Sequence, residues 1–165
     1  MENESIIRVS VFLTIFVVMA TLEALLPARK AVLARNESWV GNLSMVVLGA
    51  VVSRLLVPAS LAGISLWASA NNVGLFNIVS ANESAVAVFV AVATSVVLFD
   101  IIIYWQHRLF HTVPILWKVH KMHHADSHVD TTTGLRFHPI EIVISLAVKA
   151  AAVVILGAPV MAIVI

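Results

Sequence analysis

All seven histidines of the 165-residue chain lie in one short stretch, between positions 107 and 138. Two of them are four residues apart, and a second group has the spacing i, i+3, i+4. Residues three or four apart share one face of a helix, with Cβ atoms about 5–6 Å apart. Each group, if helical, would therefore direct its imidazoles to one place, and Pro114 allows the chain to turn between the groups. This pattern predicts a metal site made by His107, His111, His120, His123 and His124.

Asp100 is a further candidate because it lies seven residues before His107, two helical turns back on the same face. A carboxylate inside an apolar span is costly, which indicates a function as a metal ligand or as the acceptor that orients a histidine. The alternative is a hydrogen bond that pairs two helices. His128 has helical spacing only to His124, and we interpret it as a loop residue.

The ligand types limit the identity of the metal. Imidazoles with few carboxylates favour iron, copper, zinc or nickel over magnesium and calcium. The chain has no cysteine, which excludes disulfides, iron–sulfur clusters and cysteine zinc sites within it. The His-Glu-x-x-His pattern of zinc proteases is absent. More than four imidazoles exceed the needs of one tetrahedral zinc ion, so the pattern favours two metal ions.

The elements that position these residues belong to a very apolar chain, 61% hydrophobic and only 12% charged. Soluble domains are about 45–50% apolar and about 25% charged, and a fold this small could not bury the excess. The sequence therefore predicts an all-α, polytopic membrane protein that forms a single membrane domain over residues 1–165. About four transmembrane helices are expected, at 6–26, 39–58, 84–105 and 140–165, with the metal-binding segment at 106–139.

Two of these predicted spans have alternatives. The first could be a signal peptide, but its apolar run is too long and no small-residue cleavage site follows, which favours a retained anchor. The apolar stretch 39–70 is too long for one untilted span and too short for two. We expect a helix that stops near Pro58, followed by an interfacial or re-entrant piece.

The positive charges predict how the chain is oriented. The loop after the first span has three Lys or Arg residues, the loop before the third span has none, and the segment after it has four. By the positive-inside rule, the N-terminus is outside and the histidine segment is cytoplasmic. The net charge of +1 and the lack of a basic stripe give no reason to expect a nucleic-acid partner.

Three ordered motifs carry a resemblance to a known family. They read Asp100-x6-His107-Arg108-x2-His111, then Leu116-Trp117-x2-His120-x2-His123-His124, then Thr133-Gly134-Leu135-Arg136-Phe137-His138-Pro139-x-Glu141. In this order and with these separations they resemble the sterol desaturase and fatty acid hydroxylase superfamily. The resemblance extends from about Trp39, including Trp39-x2-Asn42, to the C-terminus.

The resemblance implies a membrane enzyme with a histidine-coordinated diiron centre on the cytoplasmic side. Such an enzyme uses O2 and two external electrons to hydroxylate or desaturate a lipid or sterol-like aliphatic chain. No Gly-x-Gly-x-x-Gly fingerprint for a flavin or nicotinamide is present, so we expect an external electron donor protein. The five histidines above match the family's iron ligands, for which zinc is a plausible substitute. Candidates for further ligands or for supporting roles are His138, Asp100, Asp130 and Arg136.

One departure from the family pattern concerns its later histidines, a His-x-Asn element and another His-x2-His-His cluster. The sequence reaches Ile165 before either of them. We therefore expect the N-terminal part of a longer protein or a truncated gene product, which holds one metal well and the second poorly.

Three other interpretations stay open. An inactive remnant of the same family fits the missing histidines. A metal sensor, chaperone or transporter explains the histidine cluster but not the Asp100 register. A membrane haem or quinone protein needs histidines on facing spans, and the first two predicted spans contain none.

Overall fold

The computed structural model describes residues 2–27, 35–57, 59–79, 84–126 and 129–164. These residues form helices and no strand, which confirms the all-α prediction for the described part of the chain. Several features considered in the sequence lie outside it, namely Arg29 and Lys30 of the first loop, the breaker Pro58, and His128.

The described residues form eight α-helices and one 3-10 turn. In chain order the helices are α1 (Glu2–Leu25), α2 (Arg35–Leu56), α3 (Leu61–Ala70), α4 (Leu75–Val79), α5 (Ala85–Thr112), α6 (Pro114–His120), α7 (Pro139–Leu156) and α8 (Val160–Val164). The 3-10 turn spans Thr133–Leu135, between α6 and α7. Helix α7 contacts α2, α3, α4, α5 and α6, so it is the central helix of the fold.

Three stretches of the described chain are long and apolar enough to cross a membrane, Arg35–Ile78, Ala85–Thr112 and Pro139–Leu156. The first of them includes α2, α3 and α4, and α1 contains only a shorter apolar segment, Val9–Leu25. Large apolar side chains stay exposed along these helices, for example Val86 and Phe89 at 72% each. Lipid is the solvent that such surfaces require, which supports an integral membrane protein. A fourth span and the orientation of the chain stay predictions.

Helix α5 is longer than the predicted third span. It starts after Ser84, whose hydroxyl accepts a hydrogen bond from the Ala87 N–H, and it ends at Thr112, two residues before Pro114. The apolar pattern stops near position 105, but the helix continues through polar residues until the proline disfavours helical geometry. The extra two turns carry His107 and His111 out of the apolar part of the helix.

The last predicted span, 140–165, is divided in the structure into α7 and α8. Gly157 ends α7 in the left-handed conformation, with φ of 64°, and Ser65 of α3 donates a 2.6 Å hydrogen bond to the next carbonyl, that of Ala158. Gly74, with φ of 98°, packs so closely that a Cβ there would lie 2.2 Å from the Gly157 nitrogen. The break at Gly157 is therefore fixed by contacts with α3 and with the turn before α4.

Candidate metal centre

Four histidine rings meet through their Nε2 atoms at the junction of α5 and α6. The Nε2 atoms of His107 and His111, one turn apart on α5, are 3.1 Å apart. His111 Nε2 lies 3.2 Å from His120 Nε2, which in turn lies 3.2 Å from His124 Nε2. One donor atom from each of His107, His111 and His120 can be chosen so that all lie within 4.8 Å of one another. The structure thus brings together four of the five predicted ligands; we call these four the histidine cluster.

The turn at Pro114 brings the two halves of the cluster together. Pro114 is the first residue of α6, where its missing N–H costs nothing, and α6 folds back against α5. Phe110 of α5, only 1% exposed, packs its ring 5.6 Å from that of His120. The ring of Trp117, which is on α6 like His120, lies 6.1 Å from the His120 ring. His120 is consequently buried completely and forms the floor of the cluster.

The second histidine group is helical only up to His120, which differs from the prediction. Beyond it the chain makes tight turns, in which the His123 N–H bonds to the His120 carbonyl and the His124 N–H to that of Lys121. These turns still bring His124 back to His120. His123 takes a different position, because its ring stacks on Phe137 with centroids 4.7 Å apart and planes 7° apart. Its Nδ1 is buried and has no hydrogen-bond partner among the described residues.

The spacing of the cluster fits a transition metal better than it fits hydrogen bonds between the rings. An imidazole Nε2 carries either one hydrogen or one lone pair, so it makes one straight hydrogen bond. The Nε2 atoms of His111 and His120 each face two other Nε2 atoms. Nitrogens that each lie about 2.0–2.1 Å from one tetrahedral ion are about 3.3–3.4 Å apart, close to the 3.1 and 3.2 Å that separate the Nε2 atoms along the row His107, His111 and His120. The donor set therefore fits a bound ion, with imidazole as the ligand.

The pKa of the His124 ring is lowered, which favours the neutral form. Partial burial of the ring is the main cause, although the residue as a whole is exposed, and the nearby His120 and His123 rings lower the pKa further. Since only a neutral imidazole has a lone pair to offer, this shift favours metal binding at His124.

Glu141 is a residue of this site for which the sequence analysis predicted no role. Its Oε1 lies 2.8 Å from His120 Nδ1, and both residues are buried. Helix α7 brings it there from its first turn, 21 positions after His120. The third motif contains Glu141, but no helical or strand spacing relates it to His120, so the contact could not be read from the sequence.

The other four candidates do not join the cluster. Asp100 is exposed and has no hydrogen-bond or ion-pair partner within the described chain. Asp130 Oδ1 accepts hydrogen bonds from the Thr132 N–H and hydroxyl and from Thr133, so it shapes its own turn. Arg136 is half-buried, with a buried Nε that has no partner among the described residues. His138 is the N-cap of α7, where its Nδ1 accepts from a backbone N–H.

The loop after the cluster is attached to the first two helices. Asn42 of α2, 1% exposed, donates hydrogen bonds from Nδ2 to Asp126 Oδ2 at 3.0 Å and to Thr132 Oγ1 at 2.9 Å. Glu23 of α1 accepts hydrogen bonds from the backbone and hydroxyl of Thr131. These contacts fix the chain immediately after His124.

A pocket of about 390 Å³ separates this loop from the histidine turn. Six of its eight lining residues have polar side chains. Its lining consists of His123, His124, Asp126, Val129, Asp130, Thr131, Thr133 and Gly134.

Comparison with known proteins gives one family. Residues 92–165 match the family model described as fatty acid hydroxylase. The matched segment includes most of α5 and everything after it, and so contains the whole histidine cluster and Glu141. Neither the curated proteins nor the solved structures gave a significant match. Over residues 92–165 the chain is thus similar to the fatty acid hydroxylase family, which confirms over this segment the predicted resemblance to the sterol desaturase and fatty acid hydroxylase superfamily.

Proposed function

We propose that this chain carries the iron centre of an O2-dependent membrane oxygenase that hydroxylates or desaturates an aliphatic lipid chain. The observation that supports this most directly is the row of four imidazole Nε2 atoms at 3.1–3.2 Å spacing, three of whose histidines have donor atoms within 4.8 Å of one another. The match of residues 92–165 to the fatty acid hydroxylase family model supports oxidoreductase chemistry for this cluster.

The cluster has one closed side and one open side. His120 is fully buried, whereas His107, His111 and His124 are exposed. In our proposal these rings hold iron, with zinc as a substitute, and keep coordination positions free on the exposed side. Iron held there would supply the activation of O2 for attack on an aliphatic C–H bond.

The hydroxylation would consume one O2, two electrons and two protons, and give one alcohol and one water. The electrons would come from an external donor protein. The pocket beside His124 offers a polar route by which water and protons could reach the cluster. The protein's own contribution is to hold the imidazoles, to admit protons on the polar side and to admit substrate on the apolar side.

The proposed substrate is a lipid that enters from the bilayer. Ile101, Tyr104 and Trp105, within two turns of His107 on α5, are 47%, 60% and 56% exposed. An acyl or sterol-like chain lying along this apolar surface would reach the end of α5, where the histidines begin. The proposal also places the histidine segment on the cytoplasmic side, as the Lys and Arg distribution predicts.

A test of this proposal asks whether bound iron has free coordination positions. The purified full chain is reconstituted in nanodiscs, loaded with Fe²⁺ without oxygen, and exposed to nitric oxide, which binds ferrous iron where O2 would. We expect a high-spin iron–nitrosyl signal in electron paramagnetic resonance. The signal should disappear in His111→Ala and persist in Arg108→Gln, a neighbouring exposed residue outside the cluster.

Failure of the wild-type chain to retain iron would contradict the proposal. Retained iron that binds no nitric oxide would favour the second candidate, a membrane metal-binding protein without oxygenase activity. One observation supports that candidate. Among the described residues, His107, His111 and His120 have donor atoms within 4.8 Å of one another, which suits one ion rather than two.

A further inference from the structure

The pair formed by His120 and Glu141 is a deeply buried polar contact beside the histidine cluster. His120 is 0% and Glu141 5% exposed, and their Nδ1 and Oε1 atoms are 2.8 Å apart. A buried carboxylate is tolerated only when it is paired and hydrogen-bonded. Among the described residues, His120 is the hydrogen-bond partner that Glu141 has, so the pair has to be understood as a unit.

An ordinary helix-capping role does not explain Glu141. His138 is the N-cap of α7 and Pro139 its first residue, so Glu141 is at the third helical position. A glutamate there usually reaches back to the N–H of the N-cap residue. In this protein Oε1 contacts the imidazole of His120 instead, while the helix N-terminus favours the negative charge.

The contact decides which nitrogen of His120 is free. An ionised carboxylate accepts hydrogen bonds but cannot donate them, so the hydrogen of a neutral His120 belongs on Nδ1. The lone pair then lies on Nε2, which faces the Nε2 atoms of His111 and His124 at 3.2 Å. This is the tautomer that a metal ligand requires.

The second carboxylate oxygen of Glu141 also needs an explanation. Oε2 is buried and has no hydrogen-bond partner within the described chain. No lysine or arginine of the described residues forms an ion pair with Glu141. A cation bound in the histidine cluster would supply the missing positive charge at short range, on the far side of the His120 ring.

We propose that Glu141 is the positioning residue of this site, which holds His120 as the Nδ1–H tautomer and gives the cluster its preference for a cation. This inference rests on the proposed metal centre, and it adds a residue that acts on the metal through His120. Glu141 forms no hydrogen bond with the other three rings of the cluster, so its hydrogen bond acts on the cluster through His120.

The first measurement is made on the metal-free full chain, labelled with 15N-histidine and studied by NMR in detergent micelles. The His120 resonances are identified by their loss in His120→Gln. We expect a protonated Nδ1 and an unprotonated Nε2 at His120. A His120 that carries its hydrogen on Nε2 would overturn the inference, and this result needs no variant of Glu141 that folds.

The second measurement compares the affinity for Co²⁺ of Glu141→Gln, which keeps the shape and removes the charge, with that of the wild type. Loss of such a partner weakens metal binding about 10–100-fold, and we also expect the Co²⁺ absorption bands to shift. The matched control is Glu37→Gln, which removes an exposed glutamate from the first turn of α2. This control should leave the Co²⁺ affinity and the Co²⁺ absorption bands unchanged.

The outcomes separate the inference from the proposed function. Wild-type protein that binds no Co²⁺ would disprove the metal centre, and the inference would fall with it. Tight binding by the wild type and equal binding by Glu141→Gln would overturn the inference alone.

Discussion

His111 Nε2 lies 3.2 Å from His120 Nε2, although the two residues belong to different helices. This contact joins the histidine pair of α5 to His120 at the end of α6 and to His124 after it. Without it each helix would offer at most two imidazoles, too few for a stable transition-metal site. The turn at Pro114 and the packing of Phe110 against His120 therefore have a functional consequence, because they bring these two nitrogens together.

The central position of His111 leads to a prediction about metal affinity. In His111→Ala we expect Zn²⁺ or Fe²⁺ to bind at least about tenfold more weakly, since loss of a mere supporting partner already costs that much. The measurement is competition with a chelator, followed by metal analysis of the purified protein. The triple variant His120→Ala, His123→Ala, His124→Ala should bind none. Unchanged metal content in the triple variant would rule the site out.

His138 should affect stability more than metal binding. Its Nδ1 accepts a hydrogen bond from the Ile140 N–H at the start of α7. We expect His138→Ala to lower the free energy of unfolding by about 0.5–2 kcal/mol, the usual cost of losing an N-cap, and His138→Asn to restore most of it. Unfolding by SDS in mixed micelles measures the free energy of unfolding. Co²⁺ titration measures the metal affinity, which we expect to change little. A large loss of affinity in both variants would identify His138 as a ligand instead.

The sequence predicted the parts of this site that depend on local spacing. His107 and His111 share a helix face, as four-residue spacing requires, and Pro114 separates two helices. The contacts that depend on tertiary structure were not predictable. No helical or strand periodicity encodes the turn after His120, the stacking of His123 on Phe137 or the approach of Glu141. Asp100 was predicted from its spacing to His107, and both residues do lie on α5. Even so, Asp100 has no hydrogen-bond or ion-pair partner within the described chain.

Asn42 should be important for the histidine turn although it lies outside the matched family segment. Its side-chain amide is buried and donates to Asp126 and Thr132. In Asn42→Ala two acceptors lose a donor, which we expect to cost about 2–3 kcal/mol of unfolding free energy and to weaken Co²⁺ binding. The control on the same helix is Asn36→Ala, an exposed position. Equal stability of the two variants would show that the loop is held without Asn42.

The orientation of the chain can be tested with single cysteines, since the native sequence contains none. We expect Asn71→Cys and Gly134→Cys to lie on opposite sides of the membrane, with Gly134 cytoplasmic. Both positions are exposed, and neither substitution changes the charge distribution on which the prediction rests. A maleimide that cannot cross membranes, applied to intact cells, should label Asn71→Cys only. Labelling of both variants, or of Gly134→Cys alone, would refute the predicted topology.

The number of ions bound by this chain leads to the last prediction. Among the described residues, three histidines have donor atoms within 4.8 Å of one another and His124 lies beside His120, whereas two irons with free positions for O2 need more ligands. We therefore expect the 165-residue chain alone to bind about one iron and to form no oxygenated lipid, because two-metal chemistry fails without the second ion. The assay expresses the chain with a competent reductase and searches extracted lipids by mass spectrometry for the added mass of one oxygen atom.

Hydroxylated product that depends on His107 and His111 would show that the chain is sufficient for the reaction. The second ion would then have to be held by residues such as His123 and Asp130, or by ligands shared between copies of the chain. Cross-linking and a measured metal ratio near two would distinguish these arrangements from a one-iron site.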